Sequence, residues 1–341
     1  MRILKYLAAF SLPLSVGLSF TREGWISFLP VVYAFIAIPI VEYFIGEDPT
    51  SLDAAERELA RKDNAYDILL WLTVPTQVGM LAWFLWLMKN EPADGVTTAG
   101  RIASMGLMCG VFGINVAHEL GHRTTKFEQV LARIMLCTSL YMHFFIEHNR
   151  GHHRNVGTPD DGATARKGEM VYTFWLRTIV QSFLSAWQIV KKERNRKKKT
   201  EWSFGNEMIQ YLLIQAVLIA AIAWYGGWDV TGPFLLAALI GILLLETVNY
   251  IEHYGLVRKK VSEHRYEDVE PWHSWNSDFI LGRLILFELT RHSDHHWEPS
   301  KHYQLLDSMP KALQLPAGYP AMMLLSLLPP VWFKVMDRRL V

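Results

Sequence analysis

Cysteine is nearly absent from this chain of 341 residues, which contains only Cys109 and Cys137. Neither forms a Cys-x-x-Cys pair, so a disulfide framework is not indicated and cysteine-ligated zinc or iron–sulfur centres are excluded. The chain also has no glycine-rich phosphate loop, no dinucleotide fingerprint and no internal repeat. Its net charge of +1 provides no global field that would identify a partner.

The chain is 51% hydrophobic but still 20% charged, a combination typical of a helical membrane protein with a substantial aqueous portion. Six segments are apolar enough to cross a bilayer, namely residues 3–20, 25–45, 66–88, 97–117, 208–225 and 233–251. We predict a single all-α integral membrane domain over residues 1–341, with six transmembrane helices and a helical cap. Within it, residues 127–146 form a helix at or dipping into the interface. Gly106-x-x-x-Gly110 predicts close helix packing in the fourth span.

Loop charge predicts the orientation of these spans. The basic loops all fall on one side, which is cytoplasmic by the positive-inside rule. Both termini and the cap are then cytoplasmic, in a membrane of the bacterial inner-membrane type. The most basic segment, Lys191 to Lys199, has seven Lys or Arg in nine positions. It fits a segment near anionic headgroups, or a docking patch for an acidic protein.

Histidine is the residue that stands out. Nine of the 13 histidines fall into four short clusters beside predicted spans: His118 and His122; His148, His152 and His153; His253; and His292, His295 and His296. Neutral imidazole suits iron, copper or zinc better than magnesium or calcium. Nine imidazoles exceed what one ion can hold, so the count predicts two metal ions at a membrane surface.

Spacing predicts how the rings are oriented. Residues four apart share a helix face, which places His118 with His122 and His148 with His152. At about 100° per residue, His153 points away from His148 and His152, and either meets a second ion or follows a local break in the helix. The three histidines of the last cluster can converge on one helix face.

Polar side chains in and near the clusters are candidates for orienting the imidazoles through hydrogen bonds; they are Glu119, Glu147, Glu246, Asn249, Glu252, His273 and Asp294. The remaining histidines, His143, His264 and His302, are expected to be ordinary core or surface residues. So few carboxylates accompany the histidines that a carboxylate-bridged di-iron bundle of the soluble type is not the model.

One cluster also fits a different enzyme. His118-Glu119-Leu120-Gly121-His122 matches H-E-x-x-H, the zinc metalloprotease motif. A protease built on it would leave seven clustered histidines without a role. A histidine-lined metal transporter without catalysis is a further alternative.

Several longer stretches carry a family resemblance: NYIEHYGL at 249–256, RHSDHH at 291–296, HHRNVGTPDDGATARKGE at 152–169, HSWNS at 273–277 and GED at 46–48. With them the chain resembles the integral-membrane alkane 1-monooxygenases, within the membrane fatty acid desaturase and hydroxylase superfamily, over nearly its whole length. Thr290, where the family pattern has Gln, is a departure outside the histidine set.

The resemblance implies two non-haem iron ions held by the nine clustered histidines, with O₂ as co-substrate. It also implies rubredoxin, here a separate chain, and an NADH-dependent rubredoxin reductase as the electron source. The expected reaction converts medium-chain n-alkanes to 1-alkanols, with no catalytic residue beyond the metal centre. A fatty acyl desaturase or hydroxylase and an alkyl-aromatic monooxygenase are alternatives within the same superfamily.

An alkane offers no polar handle, so selectivity for its terminal carbon must come from the shape of an apolar channel. The first four spans are the candidates to line this channel, and four aromatic residues on the second and third spans are candidates for its wall: Phe35, Trp71, Trp83 and Trp86. Each could equally face lipid or belong to an aromatic belt.

The lone histidine provides the sharpest test of the nine-ligand hypothesis. We expect His253→Ala to lose bound iron and activity, because it removes an imidazole from one metal site. His264→Ala is the matched control and should keep both. Metal analysis of the purified variants, alongside turnover, checks this; equal iron content in the two variants would contradict the assignment.

Overall fold

The structure is a computed structural model that describes residues 2–263 and 265–340, so His264 lies outside the described residues. The described chain is mostly helical. The helices are α1 (Arg2–Phe20), α2 (Gly24–Ile45), α3 (Ala54–Lys62), α4 (Ala65–Asn90), α5 (Gly95–Gly121), α6 (Lys126–Thr138), α7 (144–155), α8 (Val171–Arg196), α9 (Glu207–Gly226), α10 (Trp228–His253), α11 (Ile280–Ile285), α12 (His292–Trp297), α13 (Tyr319–Ser326) and α14 (Pro329–Met336).

Strands are short and few in the described residues. β1 (Lys260–Ser262) pairs antiparallel with β2 (Arg265–Tyr266), and β3 (Trp275–Asn276) pairs in parallel with β4 (Leu313–Gln314). Short 3₁₀ turns occupy Pro271–His273 and Tyr303–Leu305. These elements fix the loops between the last predicted span and the C-terminal helices.

The predicted all-α architecture with six spans is confirmed. Helices α1, α2, α4, α5, α9 and α10 are each long and apolar enough to cross a membrane. All six run further than hydropathy indicated, and two of them do so at an end that carries clustered histidines: α5 ends at Gly121 rather than residue 117, and α10 at His253 rather than residue 251. Both helices continue because their polar ends are buried by the cap instead of meeting water. The cytoplasmic placement of that cap stays a prediction.

Helices α5 and α10 are the most buried spans, and they pack closely against one another. A Cβ on Gly241 would lie 2.5 Å from the Cβ of Cys109 and 2.9 Å from the Gly110 nitrogen. A Cβ on Gly106 would lie 2.5 Å from Ile240. The small-residue face predicted on α5 is therefore confirmed, and Gly241 on α10 is its counterpart.

The segment between α5 and α8 forms part of the cap. Residues 127–146, predicted as one interfacial helix, comprise α6, a turn and the start of α7. At 13 residues α6 is too short to cross a bilayer. Leu140 adopts a left-handed conformation, with φ 54°, where the chain reverses. This reversal returns α7 toward the end of α5, which brings the second histidine cluster back to the first.

Close packing at Gly241 has a measurable consequence. We expect Gly241→Ala to lower stability by roughly 1–3 kcal/mol, because the added methyl would overlap the backbone of α5. The mid-point of thermal unfolding in detergent micelles measures the change.

Gly79→Ala is the matched control within α4. No atom lies within 4 Å of a Cβ at that position, and alanine is the better helix former by about 0.5–1 kcal/mol. Gly79→Ala should therefore be neutral or stabilising. Equal destabilisation by both variants would contradict the close approach of α5 and α10.

Candidate metal centre

The fold brings all nine clustered histidines together in two adjacent groups. The first group contains five residues, His118, His122, His148, His153 and His295, and the second contains four, His152, His253, His292 and His296. Within each group the potential ligand atoms lie within 4.8 Å of one another. Among the described histidines His143, His273 and His302 fall outside both groups, as the spacing predicted.

In the five-histidine group the Nε2 atoms face one another. The Nε2 atoms of His118 and His295 are 2.8 Å apart, and Nε2 of His153 lies 2.9 Å from His148 and 3.1 Å from His122. A hydrogen bond needs one protonated nitrogen and one lone pair. Five converging Nε2 atoms cannot all be satisfied that way. They form instead a set of donors for one ion.

In the four-histidine group, too, ring nitrogens face one another. The Nε2 atoms of His253 and His292 are 3.1 Å apart. Nε2 of His152 and both ring nitrogens of His296 are buried without a hydrogen-bond partner among the described residues. Unpaired buried nitrogens are costly. A bound metal ion would satisfy those that face it, so the residues present fit a metal in each group.

Burial sets the protonation of these rings. It lowers the pKa of His122 to about 3, with further lowering by His152 and Arg123. Burial and then neighbouring histidines lower the pKa of five other rings well below the usual range, namely His148, His153, His292, His295 and His296. These imidazoles are neutral at neutral pH, the form in which histidine binds a metal without displacing a proton.

Helix geometry explains how α7 serves both groups. Residues His148–His152 form a π-helical turn, closed by a hydrogen bond from the His153 nitrogen to the His148 carbonyl. This i→i+5 turn places the His153 ring edge-on to the His148 ring, with centroids 4.5 Å apart, and turns His152 toward the other group. The structure therefore differs from the regular-helix expectation, which kept His152 with His148.

Helix α12 is divided in the same way. His292 and His296 are four residues apart and both face the four-histidine group, whereas His295 points into the five-histidine group. The expectation that all three converge on one helix face is therefore wrong, because His295 lies three residues from His292 and directly before His296, and faces the other group. The rings of His153 and His296 stack with their centroids 4.5 Å apart, one from each group. Both α7 and α12 thus form the wall shared by the two metal sites.

Sequence reasoning missed one residue that orients a ligand. The Asp161 carboxylate lies 3.0 Å from Nδ1 of His152 and accepts hydrogen bonds from the Thr164 hydroxyl at 2.5 Å and the Ala163 nitrogen at 3.1 Å. Although burial alone would lower it, the pKa of His152 is raised by this carboxylate. The contact leaves Nε2 of His152 as the ligating atom. Asp161 lies in the stretch 152–169 that carried the family resemblance, which was the available signal.

Of the predicted orienting residues, Glu252 lies beside a clustered ring. One of its oxygens is 3.2 Å from Nε2 of His292, and the other accepts a hydrogen bond of 2.8 Å from the Tyr319 hydroxyl. Asn249 and Glu252 line a small cavity together with His118, His148 and His292. The role of these residues in ligation stays a prediction.

Other predicted orienting residues contact side chains that lie outside the two histidine groups. Glu246 accepts hydrogen bonds from Tyr141, Thr178 and Asn249. Asp294 pairs with Lys301 at 2.8 Å. His273 lies 3.1 Å from Glu267, and Glu147 is buried beside Gly151.

Glu119, the acidic residue of the H-E-x-x-H motif, is also held by the scaffold. It pairs with Arg123 at 2.8 Å and accepts from the Tyr303 nitrogen at 3.2 Å. A zinc protease would need this glutamate free to act on a metal-bound water. The two histidines of the motif belong to the larger set of nine, and its glutamate forms an ion pair with Arg123.

An apolar cavity reaches the metal centre from the membrane-spanning region. Its lining comes from α1, α2, α5, α10, α11 and α13, and it shares Asn115, Leu245, Val248 and Leu289 with the small cavity beside His118 and His292. Its few polar side chains bond to protein atoms: Tyr33 to Ser11, Asn115 to the Leu286 carbonyl and Tyr319 to Glu252.

The four aromatic candidates for the channel wall have different positions. Phe35 lines the apolar cavity. The indole nitrogen of Trp71 is 3.4 Å from Glu128, Trp83 packs edge-on against Phe20, and Trp86 is exposed on the outer surface. Most of the wall is aliphatic, which a search for aromatic residues could not identify.

Comparison with known proteins identifies the class to which this chain belongs. The family model described as fatty acid desaturase matches residues 96–324, more than half of the chain. Spanning helices that carry clustered histidines at their ends thus define an integral-membrane protein of the fatty acid desaturase and hydroxylase class.

Individual relatives narrow the assignment. The chain is 38% identical over 335 residues to an alkane 1-monooxygenase of Ectopseudomonas oleovorans, covering 96% of this chain and 82% of that protein. Identity to the alkane 1-monooxygenase of Pseudomonas putida is 37% over 330 residues, covering 96% and 82%. The chain belongs to the alkane 1-monooxygenase family. It is also 27% identical over 284 residues to the hydroxylase component of a Pseudomonas putida xylene/toluene monooxygenase, covering 82% and 75%.

The Asp161 contact can be tested directly. We expect Asp161→Asn to weaken metal binding about 10–100-fold, because the amide no longer fixes the His152 ring with a charge-assisted hydrogen bond. Competition with a chelator, followed by metal analysis, measures the affinity. Asp160→Asn is the matched control, since Asp160 is exposed. Wild-type metal retention in Asp161→Asn would contradict this role.

Proposed function

We propose that this protein hydroxylates the terminal carbon of medium-chain n-alkanes to give 1-alkanols. It would use O₂ and two electrons delivered by rubredoxin, with rubredoxin reductase and NADH as their source. The carrying observation is that an apolar cavity opens toward the face where both histidine groups meet. The alkane 1-monooxygenase relatives support the same reaction.

Iron is the metal we assign to both groups, because an all-imidazole donor set suits it and the activation of O₂ at a metal requires a redox-active ion. Bound iron would supply the activation of O₂ and of the terminal C–H bond. The overall reaction consumes RH, O₂, two protons and two electrons, and yields ROH and water. The two electrons must enter from outside the chain, which has no Cys-x-x-Cys pair for an iron–sulfur centre.

The chain's own residues would position the alkane and enclose it. Helix α5 carries the aliphatic wall and His118 on the same helix, so an alkane lying along Leu107 and Val111 points toward the metals. Because the polar side chains of the lining are bonded to protein atoms, the cavity offers an alkane dispersion contacts alone. Terminal selectivity then comes from how far a straight chain can enter.

A direct assay tests the function. Incubation with octane, rubredoxin, rubredoxin reductase and NADH should yield 1-octanol, and the purified protein should contain about two iron ions per chain. An octene product, or activity on acyl lipids alone, would overturn the proposal, and so would zinc as the only bound metal. Xylene belongs in the same assay because of the xylene/toluene relative.

Chain-length preference tests the cavity itself. Leu107 lies on the cavity wall, roughly 16 Å from His118 along α5. We expect Leu107→Trp to block the far end and shift the octane-to-dodecane product ratio toward octane by about tenfold. Leu212→Trp is the control, because Leu212 is exposed on α9 and should leave the ratio unchanged. An unchanged ratio in Leu107→Trp would place the alkane elsewhere.

A further inference from the structure

A polar groove adjoins the histidine-bearing helix α7, and it shares no lining residue with the apolar cavity. It encloses about 630 Å³ between residues 150–162, which begin within the π-helical turn of α7, and residues 181–196 of α8. Arg150, Arg154, Leu184, Gln188, Lys192 and Arg196 are among its lining residues. Neither the proposed hydroxylation nor the helix packing accounts for it.

The groove carries excess positive charge. Four cations line it, Arg150, Arg154, Lys192 and Arg196, against two carboxylates, Asp160 and Glu193. Arg150 at its base is held by Glu193 at 2.8 Å and Glu207 at 2.6 Å. Within residues 2–263 and 265–340, the other three cations form no ion pair, and all three are exposed.

Positive charge continues beyond the groove. The exposed residues Lys197 to Lys199 follow Arg196 directly. Leu184, which is 51% exposed, adds an apolar contact to the wall, with Pro159 and Ile189 nearby. An apolar spot inside a rim of unpaired cations is typical of surfaces that bind an acidic protein weakly and quickly.

The position of the groove connects it to the metals. Arg154 and Asn155 line it and follow His152 and His153 directly in α7. Asp160 also lines it, next to Asp161, the residue that contacts His152. A carrier bound here would contact the residues that directly follow His152 and His153 in the chain.

We propose that this groove is the docking site of the electron donor, a small protein of net negative charge that carries one electron at a time. The inference rests on the proposed function, which requires two electrons from another chain. Each docking event oxidises the carrier by one electron and reduces the metal centre by one, so two events supply one hydroxylation. Wall residues such as Gln181, Ser185 and Gln188 are polar, which favours a protein partner over lipid acyl chains.

Charge reversal tests the docking site. The variant Arg154→Glu/Lys192→Glu/Arg196→Glu changes three exposed side chains and no histidine. Reoxidation of reduced, acidic rubredoxin, followed by its own visible absorbance, should require about tenfold more rubredoxin for half-maximal rate at low salt. Added salt should slow the wild type and have much less effect on the variant. Metal content and reduction by dithionite should match the wild type.

The matched control is Arg61→Glu/Lys311→Glu/Arg338→Glu, which reverses three exposed charges outside the groove. It should keep the wild-type rubredoxin dependence. The proposal is overturned if the groove variant retains that dependence, or if the control loses it equally. A defect of the groove variant that occurs only in vesicles of anionic phospholipid, and not in neutral detergent, would assign the groove to lipid and also overturn it.

Failure of the proposed function would look different. In that case the wild type itself forms no 1-octanol, whatever the rubredoxin concentration. Rubredoxin reoxidation by the metal centre is measured without a hydroxylated product, so the two failures are separate.

Discussion

Nine buried imidazoles that face one another are the constraint on which the rest of this structure depends. Burial keeps most of these rings neutral, and their Nε2 atoms approach to about 3 Å. Several of these buried nitrogens have no hydrogen-bond partner within residues 2–263 and 265–340. Each histidine group therefore fits a metal ion, and we expect the stability of the cap to be coupled to metal binding.

The two most buried helices, α5 and α10, position the first and third histidine clusters. Helix α5 delivers His118 and, just beyond its end, His122, while α10 ends at His253. Glycines at 106, 110 and 241 let these two helices approach closely. Carboxylates then fix the cap around them: Asp161 holds the His152 ring, and Glu252 connects His292 to Tyr319. Close helix packing and charge pairing serve the same end, which is to hold the rings at metal-binding separation.

The centre has two kinds of surroundings, and our proposals assign one reactant to each. The apolar cavity reaches it between the spans, where a hydrocarbon pays no desolvation penalty. The basic groove is lined by residues next to the α7 histidines in the chain, where a charged carrier can be steered by electrostatics. Separating the two routes keeps the alkane away from water and the electron donor away from the membrane interior.

Hydropathy predicted the number of spans, histidine spacing predicted which histidines gather, and the longer motifs indicated the family, because all three are local properties of the sequence. Tertiary structure alone decided how the nine rings divide. A regular helix would have kept His152 with His148, but the π-helical turn sends His152 to the other group and returns His153. Asp161 as the partner of His152, the aliphatic lining of the cavity and the position of Gly241 also came from the structure. Each depends on contacts between residues distant in the chain or on a local break in helical periodicity, and neither is encoded in spacing.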